Sequence, residues 1–143
     1  MLVFTVPYTA FIHGVVQYEG ILTSNRKIAE RFRGRDVVVL FNGPYVKSYY
    51  PEVLRYLYGV DALPMSTDAG QEQVFNSLVG KLRSQGKTVF LASSAEQLPS
   101  ATAGQRMEPV GSDYIVFNVF RQIYGARPTK ITPFGFNLNY FKV

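Results

Sequence analysis

Residues 37–92 read VVVLFNGPYVKSYYPEVLRYLYGVDALPMSTDAGQEQVFNSLVGKLRSQGKTVFLA, and this stretch decides the fold. Three short apolar runs stand out in it: Val37 to Phe41, Val60 to Pro64, and Thr88 to Ala92. Each is a near-continuous hydrophobic segment rather than an alternating one, which is the pattern of strands covered on both faces in a parallel sheet. The two segments between them are long enough, and periodic enough, to be helices. The order is therefore β-α-β-α-β.

The connecting segments carry their own punctuation. Asn42-Gly43-Pro44 turns the chain at the carboxyl end of the first strand. The helix over 45–58 is rich in tyrosine (Tyr45, Tyr49, Tyr50, Tyr56, Tyr58), and Pro51 marks its true first turn, because proline is tolerated there and breaks a helix further in. Gly59 closes it into the second strand. Ser66-Thr67-Asp68 is expected to cap the next helix, whose apolar stripe is Val74, Phe75, Leu78, Val79 and Leu82. The string GKLRSQGKT at 80–88 has five residues between its glycines, ends a helix and opens a strand. A phosphate-binding P-loop has four, follows a strand and opens a helix, so the string is a helix stop.

Upstream, Ser24 and Asn25 are read as caps of a short helix through Phe32, with Ile28 and Phe32 on one face. Downstream, Ser93 to Gly111 is small and polar, and reads as a long loop containing one helical turn. Two further strands follow, Asp113 to Arg121 and Phe134 to Lys142, separated by Gly125-Ala126-Arg127-Pro128. In the second, Phe134, Phe136, Leu138 and Tyr140 alternate with Asn137 and Asn139, as in a strand with one solvated face. The expected fold is α/β: a three-layer, Rossmann-like mixed sheet of three parallel strands with helices on both faces, completed by a C-terminal antiparallel hairpin.

The chain has 143 residues, of which 47% are hydrophobic and 15% aromatic, enough for one domain with a substantial core. It contains no cysteine, which removes disulfides and thiolate chemistry. Residues 1–16, MLVFTVPYTAFIHGVV, carry no charge. They are short of the ~20 residues of a complete membrane span and lack the basic start and small-residue cleavage site of a signal peptide. Two readings stand: the end of a membrane helix, or a packed N-terminal element interrupted at Pro7. Residues 17–143 form the α/β domain in either case.

The net charge is +5, and Arg26, Lys27, Arg31, Arg33 and Arg35 cluster in one short stretch. That cluster is a solvated helix face or a contact for an anionic surface such as phospholipid headgroups. No specific nucleic-acid module is visible, and none is expected as a partner. Catalytic signatures are also missing. There is no G-x-G-x-x-G after the first strand, no G-x-S-x-G, and a single histidine, His13, in the apolar leader. No catalytic residue, cofactor or metal ligand is assigned. Ligands of open α/β sheets sit beyond the carboxyl ends of the parallel strands, which nominates Asn42, Gly43, Ser66, Asp68, Ser93 and Ser94. The same residues are ordinary turn and cap chemistry, so both readings stand.

An apolar helix end, then ILTSNRKIAERFRGRDVVVLFN, RYLYGVDALPM, LVGKLRSQGKTVFLAS and a terminal FGFNLNYFKV together resemble the carboxy-terminal domain of polytopic membrane glycosyltransferases. The resemblance is to prokaryotic relatives of the protein O-mannosyltransferases, which use polyprenyl-phosphate sugars. It implies an accessory, non-catalytic extracytoplasmic domain that assists acceptor binding or packs on the membrane portion of the same or a neighbouring polypeptide. In that family the catalytic acid belongs to the membrane portion, so no catalytic residue carries over. The residues alone leave two alternatives: a soluble, cytoplasmic α/β protein that binds a phosphorylated or nucleotide-like molecule at its strand ends, and a protein-interaction module.

Overall fold

The computed structural model describes residues 20–34, 36–43, 46, 50–65, 71–95, 97–121 and 130–143, with 117–121 and 130–134 described by backbone alone. Among the described residues the architecture is α/β: an open five-stranded mixed sheet with three helices of eight residues or more. The elements, in chain order, are helix α1 over 20–31, β1 (Val37–Asn42), α2 (Pro51–Tyr58), β2 (Asp61–Pro64), α3 (Glu72–Ser84), β3 (Thr88–Ser93), a 3-10 turn at Ser100–Thr102, β4 (Glu108–Arg121) and β5 (Lys130–Lys142). The spatial order is β2-β1-β3-β5-β4.

The apolar run at 37–41 becomes the middle of the parallel part of the sheet. β1 pairs in parallel with β2, Val39 opposite Ala62, and with β3, Val39 opposite Phe90. β5 then joins β3 antiparallel, with Ala92 opposite Tyr140, and β4 lies antiparallel along β5 at the edge. Because successive strand residues point to opposite faces, β1 feeds two separate cores. Val39 and Phe41 enter a cluster with Ile28, Ala29 and Phe32 of the α1 region, Leu54 of α2, and Leu138 and Tyr140 of β5. Val38 and Leu40 enter the other, with Phe75, Val79 and Leu82 of α3. A continuous apolar strand is thus explained: from Val38 onward every residue of it is buried. Burying each of these side chains contributes roughly 1.5 to 3 kcal/mol.

Several sequence expectations change in detail. Ser24 and Asn25 do not cap α1; they lie inside it. Each turns back on the preceding turn, Ser24 Oγ donating to the Gly20 carbonyl at 2.7 Å and Asn25 Nδ2 to the Ile21 carbonyl at 2.9 Å. Both residues are buried, and i to i−4 back-bonding is how such side chains are satisfied within a helix. Pro51 does occupy the first turn of α2, and Tyr50 before it is fully buried and stacked on Phe41, with ring centroids 6.1 Å apart. Burial pushes the Tyr50 phenol up to about 12, with the nearby Ser24 hydroxyl pulling the other way.

In α3, Phe75, Val79 and Leu82 are buried, but Val74 is 61% exposed. The apolar stripe is therefore narrower than the sequence suggests. The helix cap expected at Ser66 to Asp68 lies outside the described residues; α3 begins at Glu72, after Gln71. β4 and β5 are longer than expected, starting at Glu108 and Lys130. The early residues of β4 are mostly polar or small because it is an edge strand, where a full apolar pattern is not required. The segment 125–128 and the apolar leader, with Pro7 and His13, also lie outside the described residues.

Candidate functional site

The carboxyl ends of β1 and β3 meet at the point where the chain changes direction across the sheet. From β1 the chain crosses to β2 on one side, and from β2 to β3 on the other, so the two connections diverge there. In open α/β sheets this divergence leaves a crevice beyond the strand ends. Asn42 and Ser93 are the last residues of the two strands and are register partners. The Ser94 amide continues the ladder by donating to the Asn42 carbonyl at 3.1 Å.

The side chains follow the backbone. Asn42 and Ser93 are each 1% exposed, and Asn42 Nδ2 donates to Ser93 Oγ at 3.1 Å. The Ala95 amide donates to the same Ser93 oxygen at 3.3 Å. With both lone pairs occupied, the Ser93 hydroxyl keeps its proton to give. Asn42 Oδ1 and Ser94 Oγ, in contrast, are buried without any hydrogen-bond partner. Buried polar atoms are nearly always satisfied, so two orphans at adjacent strand ends are unusual.

Gly43 completes the arrangement. Its φ is 127°, a conformation that side-chain-bearing residues rarely adopt, and a Cβ built on it would overlap the Ser94 hydroxyl and crowd Val46. The glycine therefore lets the chain leave β1 close against Ser94. Of the six strand-end residues nominated by sequence, the structure brings together Asn42, Gly43, Ser93 and Ser94. Ser66 and Asp68 lie outside the described residues.

A second cluster joins α1 to β4 and β5. Arg31 Nε and Nη2 reach the two carboxylate oxygens of Asp113, each at 3.1 Å, and the Tyr140 hydroxyl donates to Asp113 Oδ2 at 2.8 Å. The guanidinium also lies over the Tyr140 ring, 4.8 Å from its centre. Gly111, opposite Tyr140 next to a β-bulge, has φ 146°; a Cβ there would come within 2.8 Å of Arg31 Nη1. The bulge and glycine make room for the cation. Desolvation pushes the Asp113 carboxyl up, but the hydrogen bonds from Arg31 and Tyr140 outweigh it and hold the group below its usual range. Arg31 is raised by its hydrogen bond to Asp113. Tyr140 is raised by burial and by the adjacent carboxylate. Each pKa thus moves further from pH 7, with Arg31 and Asp113 held charged and Tyr140 held neutral, which suits a structural clamp and not proton transfer.

This clamp was not visible as a site in the sequence, although one signal was present. Period-two alternation places Asp113 on the same face as Ile115, a buried position where a lone carboxylate needs partners. Because folding lowers the Asp113 pKa, its contribution is fully present above the unfolded value of about 3.9 and is lost as pH falls through the folded value. Acid denaturation of Asp113→Asn is therefore expected to show a flatter loss of stability below about pH 4 than the parent. Equal slopes for the two proteins in urea titrations across that range would contradict it.

The basic stretch divides. Arg26, Lys27 and Arg33 are exposed, Arg31 is committed to Asp113, and Arg35 lies outside the described residues. A shallow cleft of about 270 Å³ is lined by Arg83, Arg106, Glu108, Lys142 and Val143, with Arg83 Nη1 donating to Gln105 Oε1 at 3.3 Å. Its charged residues are all exposed, so the charge there is solvated. Among the described residues no three acidic or histidine side chains gather to hold a metal, and no helix is long and apolar enough to cross a membrane. Compared with protein-family models, with curated proteins and with solved structures, the chain matches none.

Proposed function

We propose that the chain is an accessory, non-catalytic, extracytoplasmic domain of a membrane glycosyltransferase, built as a three-layer Rossmann-like unit with β4 and β5 as its C-terminal hairpin. One observation carries this reading. Four of the segments on which the glycosyltransferase resemblance rests each carry a strand of one sheet, β1, β2, β3 and β5, and the last of them, FGFNLNYFKV at 134–143, lies beside β3, with Leu138 and Tyr140 in the core. The domain assists acceptor binding or packs on the membrane portion of the polypeptide. Arg26, Lys27 and Arg33, exposed along and just after α1, face anionic headgroups in this arrangement. The reading frame upstream of Met1 tests it: a run of several membrane helices in frame is expected, and an in-frame stop immediately upstream overturns the proposal.

A second reading is supported by the orphaned Asn42 Oδ1 and Ser94 Oγ at the ends of β1 and β3. In that reading the domain binds a small molecule at the strand ends, whether or not a membrane portion is attached. A thermal-shift series with sugars, nucleotides and sugar phosphates checks it; stabilisation at millimolar ligand supports it, and no shift with any of them counts against it.

A further inference from the structure

We infer that the open cleft lined by Arg83, Arg106, Glu108, Lys142 and Val143 binds a small phosphate monoester whose alcohol part carries a free hydroxyl. The inference is independent of the strand-end reading, because this cleft lies at the opposite end of the parallel strands. The Val143 amide donates to the Val89 carbonyl at 3.0 Å, and Lys142 is the register partner of Phe90, which sets the cleft beside the first residues of β3.

Three elements converge there. Arg83 comes from the last turn of α3, Glu108 opens β4 with Arg106 just before it, and Lys142 ends β5. Val143 is buried in the core under α3 and gives the cleft an apolar wall. Arg83 is oriented through a relay: its Nη1 donates to Gln105 Oε1 at 3.3 Å, and Gln105 Nε2 donates to Asn76 Oδ1 at 2.7 Å. Both partners are neutral amides, so the guanidinium is positioned while its charge stays uncompensated. Glu108 and Lys142 are register partners across the β4 and β5 ladder, where opposite charges ordinarily attract, yet they form no ion pair and both line the cleft. Arg106 has no ion pair either. With the main-chain carboxylate at Val143 counted beside Glu108, three cations still outnumber two anions.

The ligand chemistry follows from this set. A phosphate monoester carries a charge of about −1.5 to −2 at pH 7 and three strong acceptor oxygens, which matches three cationic groups arriving from three elements. A carboxylate has two oxygens in one plane and would leave one cation without a partner. Glu108 can only accept, so it disfavours a bare anion and calls for a donor beside the phosphate. A hydroxyl on the alcohol part supplies that donor. The volume of about 270 Å³ suits a phosphate with a few carbon atoms, being just below the roughly 300 to 1,000 Å³ of sites for larger ligands. All four charged residues are exposed, so entry needs no rearrangement of the core.

The test is a titration of the ¹⁵N-labelled full chain with sn-glycerol 3-phosphate, followed by amide chemical shifts at matched ionic strength, with inorganic phosphate and glycerol as separate arms. The ester is expected to give saturable shifts centred on Arg83, Arg106, Glu108 and Lys142 and to bind more tightly than inorganic phosphate, with glycerol silent. Arg83→Gln combined with Arg106→Gln is expected to weaken the ester about 10-fold or more, the effect of two charge-assisted hydrogen bonds reduced by solvent. Arg55→Gln combined with Lys81→Gln removes the same charge outside the cleft and is expected to leave binding unchanged. All four substituted residues are exposed, so both variants retain the folded spectrum. Equal weakening in the two double variants would reveal non-specific attraction and overturn the site. Inorganic phosphate binding as tightly as the ester overturns the role given to Glu108. A silent ester overturns the inference, including the case in which the chain co-sediments only with phosphatidylcholine vesicles that contain phosphatidic acid, which would assign the phosphate to a bilayer surface.

Discussion

Tyr140→Ala is expected to lower the unfolding free energy by about 3 to 5 kcal/mol, the range for removing a large aromatic side chain from a packed core. Tyr140 is fully buried and touches the structure on several sides at once. Phe32 packs edge-on against its ring with centroids 5.1 Å apart, Arg31 lies over it, and its hydroxyl donates to Asp113. Truncation opens a cavity in the cluster shared by α1, α2 and the sheet, and removes a donor from a carboxylate that is only slightly exposed. Tyr140→Phe separates the two effects. It keeps the ring and costs about 1 to 2 kcal/mol, because Asp113 keeps Arg31. Urea denaturation of both variants checks the pair, and a Tyr140→Ala loss below about 1 kcal/mol would show that the ring does not hold α1 to the sheet.

Gly43→Ala is expected to cost about 2 to 4 kcal/mol, more than a typical surface substitution. Two penalties combine. An alanine at φ 127° sits in a region close to glycine-specific, and its methyl group would occupy the space of the Ser94 hydroxyl. These can be told apart. Ser94→Gly in the Gly43→Ala background is expected to recover part of the loss, because the two side chains compete for one space, and the backbone strain remains. Strict additivity of the two substitutions in denaturant titrations would contradict the contact.

The strands of the parallel core were legible because β1 is buried from Val38 onward and Ala62 of β2 and Val89 and Leu91 of β3 pack in the same two cores, so an apolar run is all that is needed. The ends of the last two strands were not, because Glu108 to Ser112 lie along a sheet edge and carry no periodic signal. Val74 shows the opposite error. Its side chain has the right chemistry for the α3 stripe, but the helix meets the sheet along Phe75, Val79 and Leu82, which leaves Val74 in solvent.

The candidate site was legible in part for a topological reason: parallel strands bring Asn42 and Ser93 to the same end of the sheet whatever their sequence separation. The sequence carried no sign that Asn42 Oδ1 and Ser94 Oγ would be left without partners, since that depends on how the strand ends are buried. The Arg31, Asp113 and Tyr140 clamp was hidden by distance along the chain. Arg31 looked like one more member of a basic stretch, and its partner lies in β4.

The account turns on the claim that the ends of β1 and β3 form a polar site left unfilled by the chain itself, and the stability of Ser94→Ala measures this directly. If Ser94 Oγ has no partner in the folded protein, its removal leaves the unfolding free energy unchanged or raises it, by up to about 1 kcal/mol, since a buried unpaired hydroxyl is a cost and not a contribution. A loss of more than about 1 kcal/mol would mean that the hydroxyl is hydrogen-bonded within the fold, and the strand ends would then be an ordinary packed turn.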